Sequence, residues 1–117
     1  MKNHVRKMLN MAAKIARMKD DCRHFFIGAV AIRGDDVMVC SYNGAPKFPT
    51  PSHHCEARLS RKLDRGAIVY VARTTADGAW GLSKPCGNCE LALRRSYVKK
   101  VYYTIAPNEY GCMTFDV

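Results

Sequence analysis

Two short segments, each placed before a helical pattern, constrain the fold of this chain more than any other feature. They are residues 53–57 (HHCEA) and residues 85–89 (PCGNC). Zinc takes imidazole and thiolate ligands in tetrahedral sites, and a catalytic site keeps three protein ligands with a fourth position open for water. Cys86 and Cys89 are three residues apart, so both sulfurs can reach one ion from the first turn of a helix. We therefore predict a Zn²⁺ site formed by His54, Cys86 and Cys89, which requires the two segments to meet in space.

The spacing of apolar residues predicts the elements that bring these segments together. Helical spacing predicts a first helix over residues 3–19. Apolar runs predict strands over residues 27–33, 37–42, 67–72 and 101–105, and further helices are expected from Cys55 to Gly66 and after Cys86. The first two strands are expected to form a β-hairpin that is buried on both faces. Residues 73–85 are expected to be loop, and the last dozen residues are weakly patterned.

The order of these elements predicts the fold class. Strands joined by helical crossovers are normally parallel, whereas the initial hairpin is antiparallel, so the sheet should be mixed. We predict an α/β fold of three layers, α/β/α, with a single mixed central sheet. Residues 1–117 are expected to form one domain. Both metal-binding segments open helices at the same edge of this sheet, where they can converge on one ion.

Charge and cysteine content limit the partners and the compartment. The formal net charge of +9 favours phosphorylated or polyanionic partners, although a solvated basic surface without a partner would have the same composition. Six cysteines in a chain with an ordinary apolar fraction and a polar amino terminus favour reduced thiols over a disulfide framework. No run approaches the roughly 20 apolar residues of a membrane span. We expect a cytoplasmic protein without a membrane partner.

The pattern His-x-Glu followed by Pro-Cys-x-x-Cys is similar to the signature of the cytidine deaminase superfamily. The resemblance covers roughly residues 27–105 and implies a cytidine deaminase-like fold with a zinc-activated water. Glu56, two places after His54, would be a proton shuttle and not a ligand. The alternative for Glu56 is an ordinary first-turn glutamate favoured by the helix dipole.

Residues 41–46 (SYNGAP) resemble the Tyr-Asn-Gly-x-Pro segment of deoxycytidylate deaminases. That resemblance implies a sugar contact for Asn43, although Asn-Gly is also an ordinary turn. In relatives, the backbone amide at the position of Cys55 often binds the pyrimidine oxygen. Arg23 and Lys47 are candidates for the phosphate contact, and Trp80, in the loop before Pro85, is expected to line the pocket mouth.

Two departures keep the substrate open. The loop between Gly44 and His54 is shorter than in deoxycytidylate deaminases, which puts nucleotide-effector regulation in doubt. Residues 85–89 also resemble the Pro-Cys-Gly-x-Cys of nucleoside cytidine deaminases, which use cysteine in place of His54. The histidine is shared by nucleotide, guanine and nucleic-acid deaminases.

Several functions therefore remain open, and we expect the first of them. It is conversion of (d)CMP to (d)UMP, favoured because the basic residues are scattered over helices, where a charged solvent-facing side is normal. The alternatives are deamination of a base in single-stranded DNA or RNA, deamination of a nucleoside or free base such as cytidine or guanine, and a non-catalytic zinc-binding interaction module. A structural zinc knuckle would take a fourth ligand from Cys22, Cys40, Cys55, Cys112, His24 or His53. We also expect a homo-oligomer.

Overall fold

The computed structural model describes residues 2–16, 26–34, 37–42, 63, 66–75, 79–84 and 87–115. It contains, in chain order, α1 (Lys2–Ala16), β1 (Phe26–Ile32), β2 (Met38–Tyr42), β3 (Ile68–Thr74), β4 (Trp80–Gly81), α2 (Gly87–Arg95), β5 (Lys100–Ala106) and β6 (Glu109–Thr114). Of the helix expected over residues 55–66, the structure describes only Leu63, which is not in a helix there, and Gly66. Gly66 has φ 86°, the left-handed conformation that suits the predicted helix end.

The strands form one mixed sheet in the order β2-β1-β3-β5-β6, and β4 pairs with the end of β3. β1 is antiparallel to both β2 and β3, which confirms the predicted hairpin. β3 and β5 are parallel, because α2 carries the chain back to the starting edge of the sheet between them. The predicted mixture of parallel and antiparallel pairs is therefore confirmed.

Helices cover both faces of this sheet. On one face, Leu9 and Ala12 of α1 are buried against Val30, Tyr70 and Ala72. The opposite face carries the next residues along the same strands, which pack with α2 in a second cluster made of Ala29, Ala31, Val69, Val71, Leu93, Val98, Val101 and Phe115. Successive residues of a strand point to opposite faces, so each central strand contributes to both clusters. This arrangement confirms the three-layer α/β/α prediction.

Neither described helix is long and apolar enough to cross a membrane.

Close packing of α1 on β1 depends on Gly28. A Cβ at this position would overlap the Ala12 carbonyl oxygen and the Ala16 backbone nitrogen, and it would lie 2.9 Å from Ala16 Cα. These are backbone atoms of a helix, which cannot rotate away as a side chain can. Glycine at position 28 therefore sets how closely α1 approaches the sheet.

Gly28→Ala is expected to destabilise the protein by about 1–3 kcal/mol or more, because overpacking forces the helix to shift. Urea denaturation followed by circular dichroism measures the change. Gly81→Ala is the matched control, since a Cβ there would meet nothing closer than 3.6 Å, from the Arg73 side chain. Equal unfolding free energies for the two variants would contradict the close contact of α1 with β1.

The prediction that the hairpin is buried on both faces is wrong for β2. β2 is an edge strand, and at its start Val37 and Met38 are 47% and 49% exposed. Cys40, in the same strand, is also exposed. An apolar run therefore identified the strand, but it did not distinguish the edge of a sheet from its interior.

β6 is a strand that the sequence pattern did not predict. It pairs antiparallel with β5 through a turn at Pro107 and Asn108, where Asn108 has φ 63°. Proline followed by asparagine suits a turn whose third residue has positive φ. Gly111 lies opposite Tyr103, and a Cβ there would be 2.8 Å from the Tyr103 ring. The glycine makes room for the tyrosine ring and also removes the alternating pattern from this segment.

Candidate active site

The carboxyl ends of β3 and β5 and the beginning of α2 lie at one edge of the sheet. The Ser83 amide, four residues before Gly87, donates to the Thr104 carbonyl at 2.9 Å, which ties the approach to α2 to the end of β5. Ligands of α/β sheets bind outside the carboxyl ends of the strands. This edge is therefore the candidate site, and Cys89 is the third residue of the helix that begins there.

β3 and β5 separate as they reach this edge. Their parallel pairing ends at Val71 and Tyr103. Beyond that point β4 takes the place beside β3, with Trp80 paired to Thr74. The expected loop over residues 73–85 is therefore corrected: β3 continues to Thr74, and the segment returns as a short strand before α2. Two residues form too short an apolar run to be recognised in the sequence.

Two hydroxyl groups fill the place where the strands separate. Ser83 and Thr104 are both buried, and their Oγ atoms are 2.9 Å apart. The Ser83 hydroxyl donates to the Val71 carbonyl at 3.0 Å and accepts from the Thr104 amide at 2.8 Å. The Thr104 hydroxyl donates to the Gly81 carbonyl at 2.7 Å and accepts from the Arg73 amide at 3.1 Å. Each hydroxyl thus donates one hydrogen bond. These side-chain bonds connect β3 and β5 where their backbone pairing has ended.

The donor set that the sequence predicts for this edge suits zinc. In the sequence, Cys86 directly precedes Gly87, the first residue of α2. Cysteines at the amino end of a helix are favoured as thiolates, the form in which they bind metal. Two thiolates and one imidazole are a donor set that zinc uses in catalytic sites. Cys86, Cys89 and His54 therefore fit the group that the sequence predicts.

The described residues supply no competing metal site. Among them, no three His, Cys, Asp or Glu side chains lie close enough together to hold a metal ion. Cys40 and Cys112, two of the possible fourth ligands, lie on β2 and β6, the two edge strands of the sheet. Cys112 is paired with Tyr102, whose ring packs on the α1 face, so it faces away from the α2 layer. Both thiols are exposed.

Most of the predicted site residues lie outside the described part of the chain: Arg23, Asn43, Lys47, His54, Cys55, Glu56 and Cys86. Their roles therefore remain predictions. Cys89 is placed by the backbone of α2, in the first turn as predicted. Trp80 alone among the predicted residues has a described side chain.

Trp80 packs against the apolar cluster under α1. It lines a cavity of about 210 Å³ together with Arg6, Asn10 and Asn108. Leu93 of α2 lies on the opposite face of the sheet. The Trp80 backbone thus lies at the candidate edge, where it pairs with the end of β3. Its ring lies on the α1 side of the sheet. Its contact with substrate remains a prediction.

Arg73 is a candidate that the sequence analysis assigned to a loop. It is the next-to-last residue of β3 and follows Val69 and Val71 in the alternation that faces α2. Its side chain lies over Gly81, where a Cβ would be 3.6 Å from Arg73 Cδ. A guanidinium at the carboxyl edge, on the α2 face, is suited to an anionic substrate. The predicted strand ends at residue 72. Had it been extended by two residues, Arg73 would have been placed on the same face as Val69 and Val71.

Comparisons with known proteins agree with this arrangement. The sequence model described as "Cytidine and deoxycytidylate deaminase zinc-binding region" matches residues 2–105. Among solved structures, the chain is similar to a cytidine deaminase from Burkholderia pseudomallei, with a TM-score of 0.60 and 20% sequence identity. That similarity covers 91% of this chain and 89% of the other, and it shows that the two share a fold. A comparison with curated protein sequences gives no significant match.

Proposed function

The chain belongs to the cytidine and deoxycytidylate deaminase family, and from this we propose that it hydrolyses the amino group of a cytosine-containing nucleotide, (d)CMP, to give (d)UMP and ammonia. The observation that carries the proposal is the position of Cys89 in the first turn of α2, at the edge where β3 and β5 separate. A metal held there lies where α/β sheets bind their ligands.

The proposed machinery consists of four residues. His54, Cys86 and Cys89 hold zinc, which when bound makes water a stronger nucleophile at neutral pH. Glu56 removes the proton from the attacking water and delivers protons to the ring nitrogen and to the leaving ammonia. This role for Glu56 follows from the family signature, in which the glutamate after the histidine is not a zinc ligand.

Substrate contacts are proposed for a second group of residues. The Cys55 backbone amide would bind the ring oxygen and Asn43 the sugar. The pocket contact of Trp80 is proposed on sequence grounds alone, since its ring packs on the α1 side of the sheet. Arg23 and Lys47 remain proposals for the phosphate on sequence grounds. Arg73 joins them because its strand and face bring it to the candidate edge.

The placement of aromatic side chains supports a free nucleotide over a polymer. Tyr70 stacks on Tyr102 with ring centroids 5.3 Å apart, and His4 and Tyr110 approach this pair edge-on. These rings line a cavity of about 630 Å³ on the α1 face, beside Lys100 at the start of β5. Nucleic-acid strands need successive exposed platforms that lead to the site. Here the rings pack mainly on one another, and the stacked pair lies in the amino-terminal halves of β3 and β5.

The described basic residues also do not form a single track. Lys7 and Lys14 are exposed on α1, whereas Arg94 lies on α2, across the sheet. The Arg94 guanidinium carbon lies 4.6 Å from the centre of the Phe115 ring, and a guanidinium nitrogen lies 3.7 Å from a carboxylate oxygen of Glu90. Arg94 therefore already has partners within the fold. A nucleotide with one phosphate needs only one or two cations, which this arrangement can supply.

Ammonia release from a panel of cytosine, cytidine, CMP, dCMP, dCTP, guanine, adenosine and a single-stranded oligonucleotide tests the proposal. We expect dCMP or CMP to have the highest kcat/KM, with a shallow dependence on salt because one phosphate is bound. Preference for the oligonucleotide, with steep salt dependence, would overturn the choice of substrate and leave the zinc chemistry intact. If cytidine or a free base is the preferred substrate, the proposed phosphate contacts are wrong. If no compound releases ammonia, the non-catalytic zinc-binding module is favoured.

The cytoplasmic location and the homo-oligomer remain predictions. Light scattering after size-exclusion chromatography measures the latter.

A further inference from the structure

We propose that the hydroxyl groups of Ser83 and Thr104 are positioning groups for the zinc site, because they fix the end of the segment that carries Cys86. This inference rests on the proposed function, in which Cys86 is a ligand. It adds two residues that belong neither to the motif nor to the substrate contacts.

The two hydroxyls join three parts of the chain. Through Val71 and Arg73 they bind β3, through Gly81 they bind β4, and Thr104 itself belongs to β5. Backbone pairing between β3 and β5 ends just before this point. The separation of the strands at the candidate site is therefore held by side chains, and the Ser83 backbone is fixed from its amide and from its hydroxyl.

In the sequence, Cys86 falls between two anchored parts of the chain. Ser83 is three residues before it, and α2 begins one residue after it and is anchored by Leu93, which is fully buried. The intervening segment contains Pro85, whose ring restricts its own φ and the conformations open to Lys84. With only three residues from Ser83 to Cys86, and proline among them, a shift of Ser83 is expected to displace Cys86.

Zinc affinity is sensitive to such support. Ligands bind well only when they are held near the tetrahedral geometry, and groups that orient ligands typically contribute 10–100-fold to metal affinity. Loss of either hydroxyl would leave buried backbone groups without their partners, and the segment before Cys86 would have to adjust. The cost would be measured as weaker zinc binding.

The test compares zinc affinities of the parent protein and four variants by competition with a chromogenic chelator, after circular dichroism has shown that each is folded. Thr104→Val and Ser83→Ala are expected to bind zinc about tenfold more weakly than the parent. Thr104→Ser keeps the hydroxyl and should stay near the parent value. Thr74→Val is the matched control, since Thr74 Oγ1 is buried at the same edge and has no hydrogen-bond partner among the described residues.

A purely structural role would have a different result. It would lower the unfolding temperatures of the metal-free and zinc-loaded proteins equally, with zinc affinity unchanged, and that outcome would overturn the inference. A parent protein that binds zinc but releases no ammonia would contradict the proposed function, while the comparison of zinc affinities would still decide the role of the hydroxyls.

Hydrogen exchange in the parent protein provides a measurement that needs no variant. Because coupling is reciprocal, zinc should slow exchange of the Ser83, Thr104 and Arg73 amides. The slowing should exceed that of amides in the β1–β2 hairpin, which report the general gain in stability. Equal slowing in the two regions would count against the inference even if Thr104→Val and Ser83→Ala failed to fold.

Discussion

Replacing Cys89 with alanine is expected to leave the protein without zinc. The parent should bind about one equivalent per chain, since three protein ligands form one site. With a single thiolate and an imidazole remaining, a tetrahedral site loses a third of its protein donors. Inductively coupled plasma mass spectrometry after dialysis measures the zinc content, and Cys86→Ala should give the same result.

Loss of zinc should also lower stability. A ligand present at a thousand times its Kd stabilises the native state by about 4 kcal/mol, and a variant that cannot bind forfeits this contribution. The unfolding temperature of Cys89→Ala should therefore match that of the chelator-treated parent and should not rise when zinc is added. The thiolates gain their partner only in the folded protein, so metal binding and folding are coupled.

Cys112→Ala is the matched control for this experiment. It removes an exposed thiol from an edge strand, on the side of the sheet that faces α1. Zinc content and unfolding temperature should both remain at the parent values. Full zinc occupancy in Cys89→Ala, or loss of zinc in Cys112→Ala, would show that the ligand set is wrong.

The central elements could be predicted because their pattern is local. α1 has its buried residues, such as Leu9 and Ala12, at helical spacing, and β3 and β5 are continuous apolar runs. Once these elements are recognised, the rules of chain connection determine that β3 and β5 are parallel. Three layers and a mixed sheet followed from these facts.

The two strands that were not predicted, β4 and β6, depend on contacts with a neighbouring strand. β4 is two residues long and forms because it pairs with β3 and because the Thr104 hydroxyl bonds to the Gly81 carbonyl. β6 carries Gly111 where alternation would require a larger residue, and the reason is the Tyr103 ring on the neighbouring strand. These are contacts between strands, and a search for apolar runs within one segment does not detect them.

The same distinction applies to the candidate site. The metal ligands could be proposed because zinc demands particular donors at particular spacings, and Cys89 lies in the first turn of α2 as expected. The hydrogen bonds of Ser83 and Thr104 join residues 21 positions apart, and serine and threonine are too common for their pairing to be recognised in the sequence. The chemistry of a site is therefore easier to predict than the groups that hold it in place.

Replacing Glu56 with alanine should abolish most turnover while the protein keeps its fold and its zinc. Hydrolysis of a ring amino group requires a proton to leave the attacking water, and protons to reach the ring nitrogen and the departing ammonia. A single carboxylate beside the metal can serve each transfer in turn. General acid–base groups contribute about 10²–10⁴-fold each, so kcat for the best substrate of the panel should fall by at least that range.

Glu90→Ala separates this role from that of an ordinary helix glutamate. Glu90 lies in the first turn of α2, where it is favoured by the helix dipole, and its carboxylate is 3.7 Å from Arg94 one turn later. Its loss should cost about 0.3–0.5 kcal/mol, as for other exposed pairs of this spacing, with little change in kcat. If Glu56→Ala behaved in the same way, with zinc retained and kcat within tenfold of the parent, the proton shuttle would have to be another residue.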